Sequence, residues 1–141
     1  MRVEGTTSLR VRYAETDAMG VVYYGNYFTW FEVGRSAFCR DQGSPYPEWE
    51  ARGVFLPCVE SHCRYKQSAR YDEEVLLRTW IEDVRDHSVT FAYRVERAED
   101  GRLLAEGWTK HAFCDRQGKL LRRPQPFSEW LESVSDSKSN G

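Results

Sequence analysis

Residues 13–42 read YAETDAMGVVYYGNYFTWFEVGRSAFCRDQ, and the spacing of the apolar residues changes within this stretch. Leading into it, Leu9, Val11 and Tyr13 alternate with arginines, which is the spacing of a half-buried strand. Further on, aromatic residues and one glycine recur every three or four positions: Tyr27, Trp30, Phe31, Gly34 and Phe38. That spacing predicts a helix with one apolar face over residues 26–42, joined to the strand by a loop.

The rest of the chain favours strands. Apolar and polar residues alternate in further segments, which predict strands over residues 55–65, 75–85, 88–97 and 103–114. The Glu-Asp-Gly sequence at residues 99–101 predicts the hairpin turn between the last two of these strands. Phe127 and Trp130 predict a short terminal helix, and the polar residues from Ser133 onward predict a frayed end.

A helix between a first strand and a run of antiparallel strands is an α+β arrangement. Trp30, Phe31 and Phe38 on the helix must be shielded from water, because burying aromatic surface is a main source of stability. A curved antiparallel sheet wrapped around the helix would shield them. Long strands would also leave free sheet edges, which favours self-association.

The composition limits the classes of protein. A length of 141 residues fits one domain, which we assign to residues 1–133, followed by a polar tail at 134–141. The 20 basic residues face 22 acidic ones, so bulk charge does not favour a nucleic-acid partner. No apolar run approaches the roughly 20 residues that span a membrane, and no secretory signal is visible at the start. We therefore expect a soluble cytoplasmic protein with no integral membrane segment.

The four cysteines do not indicate a metal site. Cys39, Cys58, Cys63 and Cys114 form no pair of the C-x-x-C type, and the chain has only three histidines. We therefore expect reduced thiols, no bound metal and no cofactor.

The loop before the helix holds the residues that could carry chemistry. A helix N-terminus exposes unpaired N–H groups with a partial positive charge, which can polarise a carbonyl group. Asp17, about nine residues before the helix, could attack that carbonyl or deprotonate a water molecule beside it. Gly20 and Gly25 would let backbone N–H groups approach a substrate. This combination indicates acyl transfer to water.

Two other interpretations of the loop stay open on spacing alone. The usual role of an aspartate before a helix is to form a turn or a cap, and spacing alone favours that role for Asp17. Glu15 carries the same charge and competes with Asp17 as the catalytic carboxylate.

The loop resembles the motif of the 4-hydroxybenzoyl-CoA thioesterase family of hotdog-fold acyl-CoA thioesterases, which includes a branch associated with the Tol-Pal envelope system. The matching residues are Tyr13, Thr16, Asp17, Gly20, Val21, Val22, Tyr23, Asn26 and Tyr27. A second match consists of Tyr65, Ala69, Tyr71 and Asp72. The resemblance extends over about residues 9–126.

The resemblance implies a hotdog fold, in which a five-stranded antiparallel sheet wraps around one long helix. It implies a homodimer formed edge to edge, or a homotetramer, with acyl-CoA bound at the subunit interface and hydrolysed to a free acid and CoA. Asp17 would be the nucleophile or the general base, and the backbone N–H of Tyr24 would receive the thioester carbonyl. Gly20, Val22 and Tyr27 would contact the substrate.

The chain departs from family patterns at two places. Tol-Pal-associated members often carry histidine at the position of Tyr24, and tyrosine resembles the branch that acts on aromatic acyl groups. Members of that branch hold the CoA phosphates with a cluster of basic residues. At that place this chain has Arg85, Asp86 and His87, of which only Arg85 is a full cation. The resemblance implies that His87 and Ser88 contact the phosphates. Arg122 and Arg123 of the neighbouring subunit are candidates to complete this phosphate-binding site.

Two rival functions remain open. One is hydration or dehydration of an acyl thioester on the same fold, which would require a carboxylate and a histidine poised together. The other is a module that binds acyl-CoA without converting it.

Overall fold

The computed structural model describes residues 3–43 and 46–140. Its strands are β1 (Glu4–Arg10), β2 (Cys58–Tyr65), β3 (Glu74–Val84), β4 (Ser88–Arg97) and β5 (Leu103–Ala112). Its α-helices are α1 (Asn26–Asp41), α2 (Tyr46–Ala51) and α3 (Gln125–Asn140). The strands form one antiparallel sheet in the order β1-β3-β4-β5-β2. The predicted α+β class, with a five-stranded antiparallel sheet against the first helix, is confirmed.

The apolar face of α1 packs on the inner face of the sheet. Trp30, Phe31 and Phe38 are all buried, as their spacing predicts. The Phe31 ring stacks on the ring of Tyr93 in β4, with centroids 4.4 Å apart and planes 5° apart. Such burial removes most of each aromatic side chain from water and is worth about 1.5–3 kcal/mol per residue. These contacts hold the helix N-terminus, and therefore the loop before it, in a fixed place on the sheet.

Two glycines allow α1 to lie close to the strands. A methyl group on Gly34 would lie 2.7 Å from Oγ1 of Thr79 in β3. A methyl group on Gly107 in β5 would lie 2.9 Å from the ring of Phe31 and would overlap the His62 carbonyl oxygen. Glycine at these positions is therefore required by the close approach of helix and strand.

The ends of several elements differ from the sequence prediction. The first strand stops at Arg10, because Tyr13 and the next residues form a single turn of 3₁₀-helix, Tyr13–Glu15. Strand β2 starts at Cys58, and Phe55 contributes only an isolated bridge to Cys114.

The terminal helix is longer than predicted. It extends to Asn140, so the stretch predicted as a frayed end and polar tail is helical up to that residue, and Gly141 lies outside the described residues. Val134 is buried, and together with Phe127 and Trp130 it continues an apolar face at helical spacing. The Trp130 ring packs on Trp49 of α2, with centroids 4.9 Å apart.

Among the helices of residues 3–43 and 46–140, none combines the length and the apolarity that crossing a membrane requires.

Candidate active site

Asp17 closes a tight turn through one carboxylate oxygen. Its Oδ1 accepts hydrogen bonds from the backbone N–H groups of Met19 at 2.9 Å and of Val21 at 3.4 Å. The Asp17 N–H donates to the Val21 carbonyl at 2.8 Å, and the Gly20 N–H donates to the Asp17 carbonyl at 3.0 Å. Gly20 has a φ of +80°, a conformation that side-chain-bearing residues rarely adopt. Asp17 is therefore a turn former, as one of the sequence interpretations holds.

The other oxygen of Asp17 remains available for chemistry. Asp17 is exposed, and within the described part of the chain its Oδ2 accepts no hydrogen bond. The two interpretations of this residue are thus compatible, because each uses a different oxygen of the same carboxylate.

Glu15 is buried and does not compete with Asp17. Its Oε1 accepts from the Arg12 N–H at 2.7 Å, and its Oε2 accepts from the indole Nε1–H of Trp30 at 2.8 Å. Its backbone carbonyl accepts from the Tyr23 N–H and from the Asn26 side-chain amide, both at 2.9 Å. Both carboxylate oxygens are therefore engaged, and Glu15 anchors the two ends of the loop to α1.

A cleft of about 330 Å³ lies beside the loop. It is lined by residues from the loop, the first turn of α1 and the segment that follows β2, namely Asp17, Val21, Val22, Tyr24, Tyr27, Tyr65, Lys66, Gln67 and Ser68. The structure thus brings together four of the predicted site residues: Asp17, Val22, Tyr24 and Tyr27. Gly20 is not part of the lining, and its observed place is the turn that orients Asp17.

Tyr24 lies two residues before α1 begins, directly ahead of the N-cap residue Gly25. Its carbonyl accepts from the Tyr27 N–H at 3.3 Å and from the Tyr65 hydroxyl at 3.0 Å. No hydrogen bond from the Tyr24 N–H is found over residues 3–43 and 46–140. An N–H group in this setting can donate to a developing oxyanion.

Tyrosine rings form the aromatic wall of the cleft. The Tyr65 ring meets the Tyr27 ring edge to face, with centroids 5.2 Å apart, and lies 6.3 Å from the Tyr24 ring. Burial raises the pKa of Tyr27, whose hydroxyl accepts from the Ala69 N–H at 3.2 Å. Partial burial raises the pKa of Tyr65 to about 12. Both phenols are therefore neutral at physiological pH and act as hydrogen-bonding groups.

Five lining residues are absent from the predicted site: Val21, Tyr65, Lys66, Gln67 and Ser68. Two of them add a hydroxyl group and a cation to the cleft. Tyr65 is a match to the family motif but is not assigned to the site there, and its position at the end of β2 brings it to Tyr24. Lys66 follows it and places a cation on the lining. The motif match is the signal that could have found Tyr65, whereas nothing local in the sequence marks Lys66.

The predicted phosphate-binding residues lie at the opposite end of the sheet. The Asp17 loop adjoins the start of β3, where the Val22 N–H donates to the Ala69 carbonyl at 2.9 Å. Arg85, His87 and Ser88 lie where β3 ends and β4 begins. An 11-residue strand is roughly 35 Å long, so one chain does not bring these residues to Asp17.

The predicted phosphate-binding residues do lie close to one another at that far end of the sheet. The backbone N–H of Arg123 donates to the Asp86 carbonyl at 2.6 Å, and His87 Nδ1 lies 3.1 Å from the Leu121 carbonyl oxygen. This places Arg122 and Arg123 beside the β3–β4 hairpin. Acidic neighbours offset part of the charge: Arg85 pairs with Asp83 at 2.8 Å, and Arg122 pairs with Asp86 at 3.2 Å.

The sequence matches a known family over most of its length. The chain belongs to the Thioesterase-like superfamily, whose family model matches residues 11–134. The resemblance to hotdog thioesterases is therefore confirmed.

Individual relatives agree with this assignment. The chain is 34% identical over 131 residues to the "Putative acyl-CoA thioesterase YneP" of Bacillus subtilis (strain 168), covering 92% of this chain and 94% of that one. It is 23% identical over 138 residues to the "4-hydroxybenzoyl-CoA thioesterase" of Pseudomonas sp. (strain CBS-3), covering 92% and 96%. Its fold matches the solved structure of DHNA-CoA thioesterase from Staphylococcus aureus with a TM-score of 0.87, at 34% identity and 96% and 91% coverage. The fold is that of the hotdog thioesterases.

Proposed function

We propose that this chain hydrolyses an acyl-CoA thioester to a free acid and CoA. One observation carries the proposal: two residues with unused groups line the same cleft, Asp17 with a carboxylate oxygen and Tyr24 with an N–H that have no hydrogen-bond partner among the described residues. A carboxylate and an oxyanion donor are the two groups that hydrolysis of a thioester needs. Membership of the thioesterase superfamily and the printed names of the relatives support the same chemistry.

The Tyr24 N–H would stabilise the oxyanion that forms when the thioester carbonyl is attacked. Two courses are open for Asp17. As a nucleophile, its oxygen bonds to the acyl carbon, the C–S bond breaks to release CoA, and water then hydrolyses the mixed anhydride. As a general base, it removes a proton from water, whose oxygen bonds to the acyl carbon, and the thiolate leaves and is protonated. A single turnover in oxygen-18 water distinguishes them, since only the nucleophilic course can place the label in Asp17.

The acyl group would lie against the aromatic wall of the cleft. The rings of Tyr24, Tyr27 and Tyr65 favour a flat aromatic acyl group over a flexible aliphatic one, because aromatic rings gain from edge-to-face and stacked contacts. A volume of about 330 Å³ suits one small ring system. The reaction as proposed uses the chain's own groups and water, with no metal or cofactor.

The CoA phosphates would be held by the group at the far end of the sheet, contributed by a neighbouring subunit. Arg85, Arg122 and Arg123 supply the cations, with His87 and Ser88 beside them. The edge strand β2 supports a homodimer or a larger assembly of dimers. It is exposed along almost its whole length, with Val59 55% exposed, and an uncovered edge strand favours pairing with a second copy.

A panel of acyl-CoA substrates tests the proposal directly. Free thiol release from benzoyl, naphthoyl and short aliphatic thioesters would measure hydrolysis, with the aromatic members expected to react fastest. A 2-enoyl-CoA substrate tests the rival activity: water addition across the double bond with the thioester intact would show a hydratase. Tight CoA binding without thiol release from any substrate would show a binding module instead.

A further inference from the structure

The Tyr65 hydroxyl joins the end of the edge strand β2 to the backbone just before α1. It donates to the Tyr24 carbonyl at 3.0 Å, although the two residues are 41 positions apart in sequence. Tyr65 is the last residue of β2 and pairs with Ala105 of β5. The next N–H group, of Lys66, donates to the Leu104 carbonyl at 2.8 Å. The backbone that carries the Tyr65 ring is therefore fixed by the sheet.

The ring and the proton of Tyr65 are held as well. The ring meets the buried ring of Tyr27 edge to face, with centroids 5.2 Å apart, and the Tyr27 hydroxyl accepts from the Ala69 N–H at 3.2 Å. Partial burial raises the pKa of Tyr65 to about 12, so the phenol keeps its proton at physiological pH. A hydroxyl group has one proton to donate, and here the Tyr24 carbonyl receives it. Tyr65 is therefore not a free acid for a substrate.

Tyr24 lies between two peptide groups, and the first of them determines where its N–H points. In the peptide that joins Tyr23 to Tyr24, the Tyr23 carbonyl accepts from the Asn26 N–H at 3.0 Å. The C=O and N–H of a planar trans peptide point in opposite directions, so this bond turns the Tyr24 N–H away from α1. On that side the N–H has no partner within residues 3–43 and 46–140.

The second peptide group, which joins Tyr24 to Gly25, is held mainly by Tyr65. Its carbonyl accepts from the Tyr27 N–H at 3.3 Å, beyond the usual range for a backbone bond, and from the Tyr65 hydroxyl at 3.0 Å. The Tyr24 side chain is 61% exposed, so packing contributes little to holding the residue. A carbonyl oxygen that rotated into the cleft would present partial negative charge to an oxyanion and oppose it.

We propose that Tyr65 is a positioning residue for the oxyanion donor: its hydroxyl holds the Tyr24 carbonyl out of the cleft and keeps the Tyr24 N–H aimed at the thioester carbonyl. This inference rests on the proposed hydrolysis, in which the Tyr24 N–H stabilises the oxyanion. It gives separate tasks to two parts of one side chain. The Tyr65 ring forms part of the cleft wall and contacts the acyl group, whereas the hydroxyl acts only through Tyr24.

Tyr65→Phe separates the two tasks, because it keeps the ring and removes the hydroxyl. The oxyanion forms only as the thioester is attacked, so kcat should fall by about three- to tenfold, the effect of losing one hydrogen bond. KM should stay within about twofold, because the wall that binds the acyl group is kept. Tyr71→Phe is the matched control and should keep both constants. Tyr71 is an exposed tyrosine outside the cleft lining, and its hydroxyl forms no hydrogen bond among the described residues.

A spectroscopic measurement tests the same point without turnover. In a ketone analogue of acyl-CoA, CH₂ replaces the thioester sulfur, so the carbonyl binds in the cleft and is not hydrolysed. Donation from the Tyr24 N–H should lower the stretching frequency of a carbon-13-labelled carbonyl in isotope-edited infrared difference spectra. Tyr65→Phe should reverse part of that downshift, and Tyr71→Phe should keep all of it. A general loss of structure would instead weaken binding of the analogue and lower the unfolding temperature.

The results distinguish failure of this positioning role from failure of the proposed hydrolysis. If the wild type releases thiol, and Tyr65→Phe keeps the wild-type kcat and carbonyl frequency, the positioning role is overturned and hydrolysis stands. A higher KM with an unchanged carbonyl frequency also overturns it, because the hydroxyl then serves substrate binding. A wild-type complex without a downshift overturns both the positioning role and the assignment of the Tyr24 N–H. A downshift that depends on Tyr65, without thiol release from any thioester, supports the positioning role and overturns hydrolysis alone.

Discussion

Asp17 and Asp115 occupy the same position in two turns with the same hydrogen-bond pattern. Asp115 Oδ1 accepts from the N–H groups of residues two and four positions on, Gln117 and Lys119, both at 2.9 Å. Asp17 Oδ1 likewise accepts from the N–H groups of Met19 at 2.9 Å and Val21 at 3.4 Å. Each turn has a glycine three positions after the aspartate, with φ of +80° and +85°. What distinguishes the two aspartates is their surroundings, because Asp17 lines the cleft with the Tyr24 amide and Asp115 does not.

The same substitution at Asp17 and at Asp115 distinguishes a catalytic role from turn formation. Asp17→Asn keeps an oxygen that can accept the two backbone bonds, so the variant should fold normally, yet it removes the anionic group. Hydrolysis should fall by about two to four orders of magnitude if Asp17 is a general base, and further if it is a nucleophile. Asp115→Asn should keep both the fold and the wild-type rate. Thiol release and thermal unfolding measure the two properties, and near-wild-type turnover by Asp17→Asn would remove this residue from the mechanism.

Glu15 and Trp30 should contribute strongly to stability through their hydrogen bond. Glu15 accepts from the Arg12 N–H with one oxygen and from the Trp30 indole with the other. A glutamine has only one side-chain oxygen, so Glu15→Gln leaves one of these donors unpaired. We expect a loss of about 1–3 kcal/mol in the free energy of unfolding. Trp30→Phe removes the other partner. In a double-mutant cycle by urea unfolding, Glu15→Ala, which removes both acceptor oxygens, and Trp30→Phe should couple by about 1.5–3 kcal/mol, the usual range for a hydrogen bond to a charged group. Strictly additive losses would show that the bond contributes little.

The arginines at the far end of the sheet should affect substrate binding more than turnover. Replacing Arg122 and Arg123 by glutamine should raise KM for acyl-CoA about tenfold, which is about 1.4 kcal/mol, with a smaller effect on kcat. A thioester of N-acetylcysteamine, which lacks the phosphates, should be hydrolysed as before. Arg52→Gln, which removes a surface arginine paired with Glu129, is the matched control. An equal loss on both substrates would contradict a phosphate-binding role.

His111 should make the folded state sensitive to acid. It is buried, with ring nitrogens 2.9 Å from the Leu56 carbonyl oxygen and 2.8 Å from Oγ1 of Thr109. Burial lowers the pKa of His111 to about 4, from an ordinary value of 6.5. Between those values the unfolded chain binds one proton more than the folded chain, so stability falls as the pH falls. The slope from this group is about 1.4 kcal/mol per pH unit.

The check is the pH dependence of unfolding in His111→Gln. Urea unfolding of the wild type and this variant at pH 7 and pH 4.5 should show a smaller loss for the variant. Carboxylates that titrate in the same range contribute equally to both proteins and cancel in the comparison. Parallel pH profiles would mean that His111 does not titrate as inferred.

The sequence by itself determined the features that depend on neighbours along the chain. The three- and four-residue spacing of Trp30, Phe31 and Phe38 defined the face of α1 that is buried. Asp17, followed by Gly20, defined a turn whose hydrogen bonds reach only four residues onward. Helix faces and tight turns can be predicted because their contacts join residues that are close in sequence.

Only the tertiary structure decided the roles that depend on distant partners. Glu15 and Asp17 carry the same charge two residues apart, and it is Trp30, fifteen positions after Glu15, that makes one an anchor and leaves the other free. The length of β3 separates Arg85 from Asp17, although the family resemblance assigns both to the binding of one substrate. Pairing between strands brings Trp80, Ala92 and Trp108 into one row. Such contacts form when chain segments far apart in sequence meet, so no local pattern of residue types encodes them.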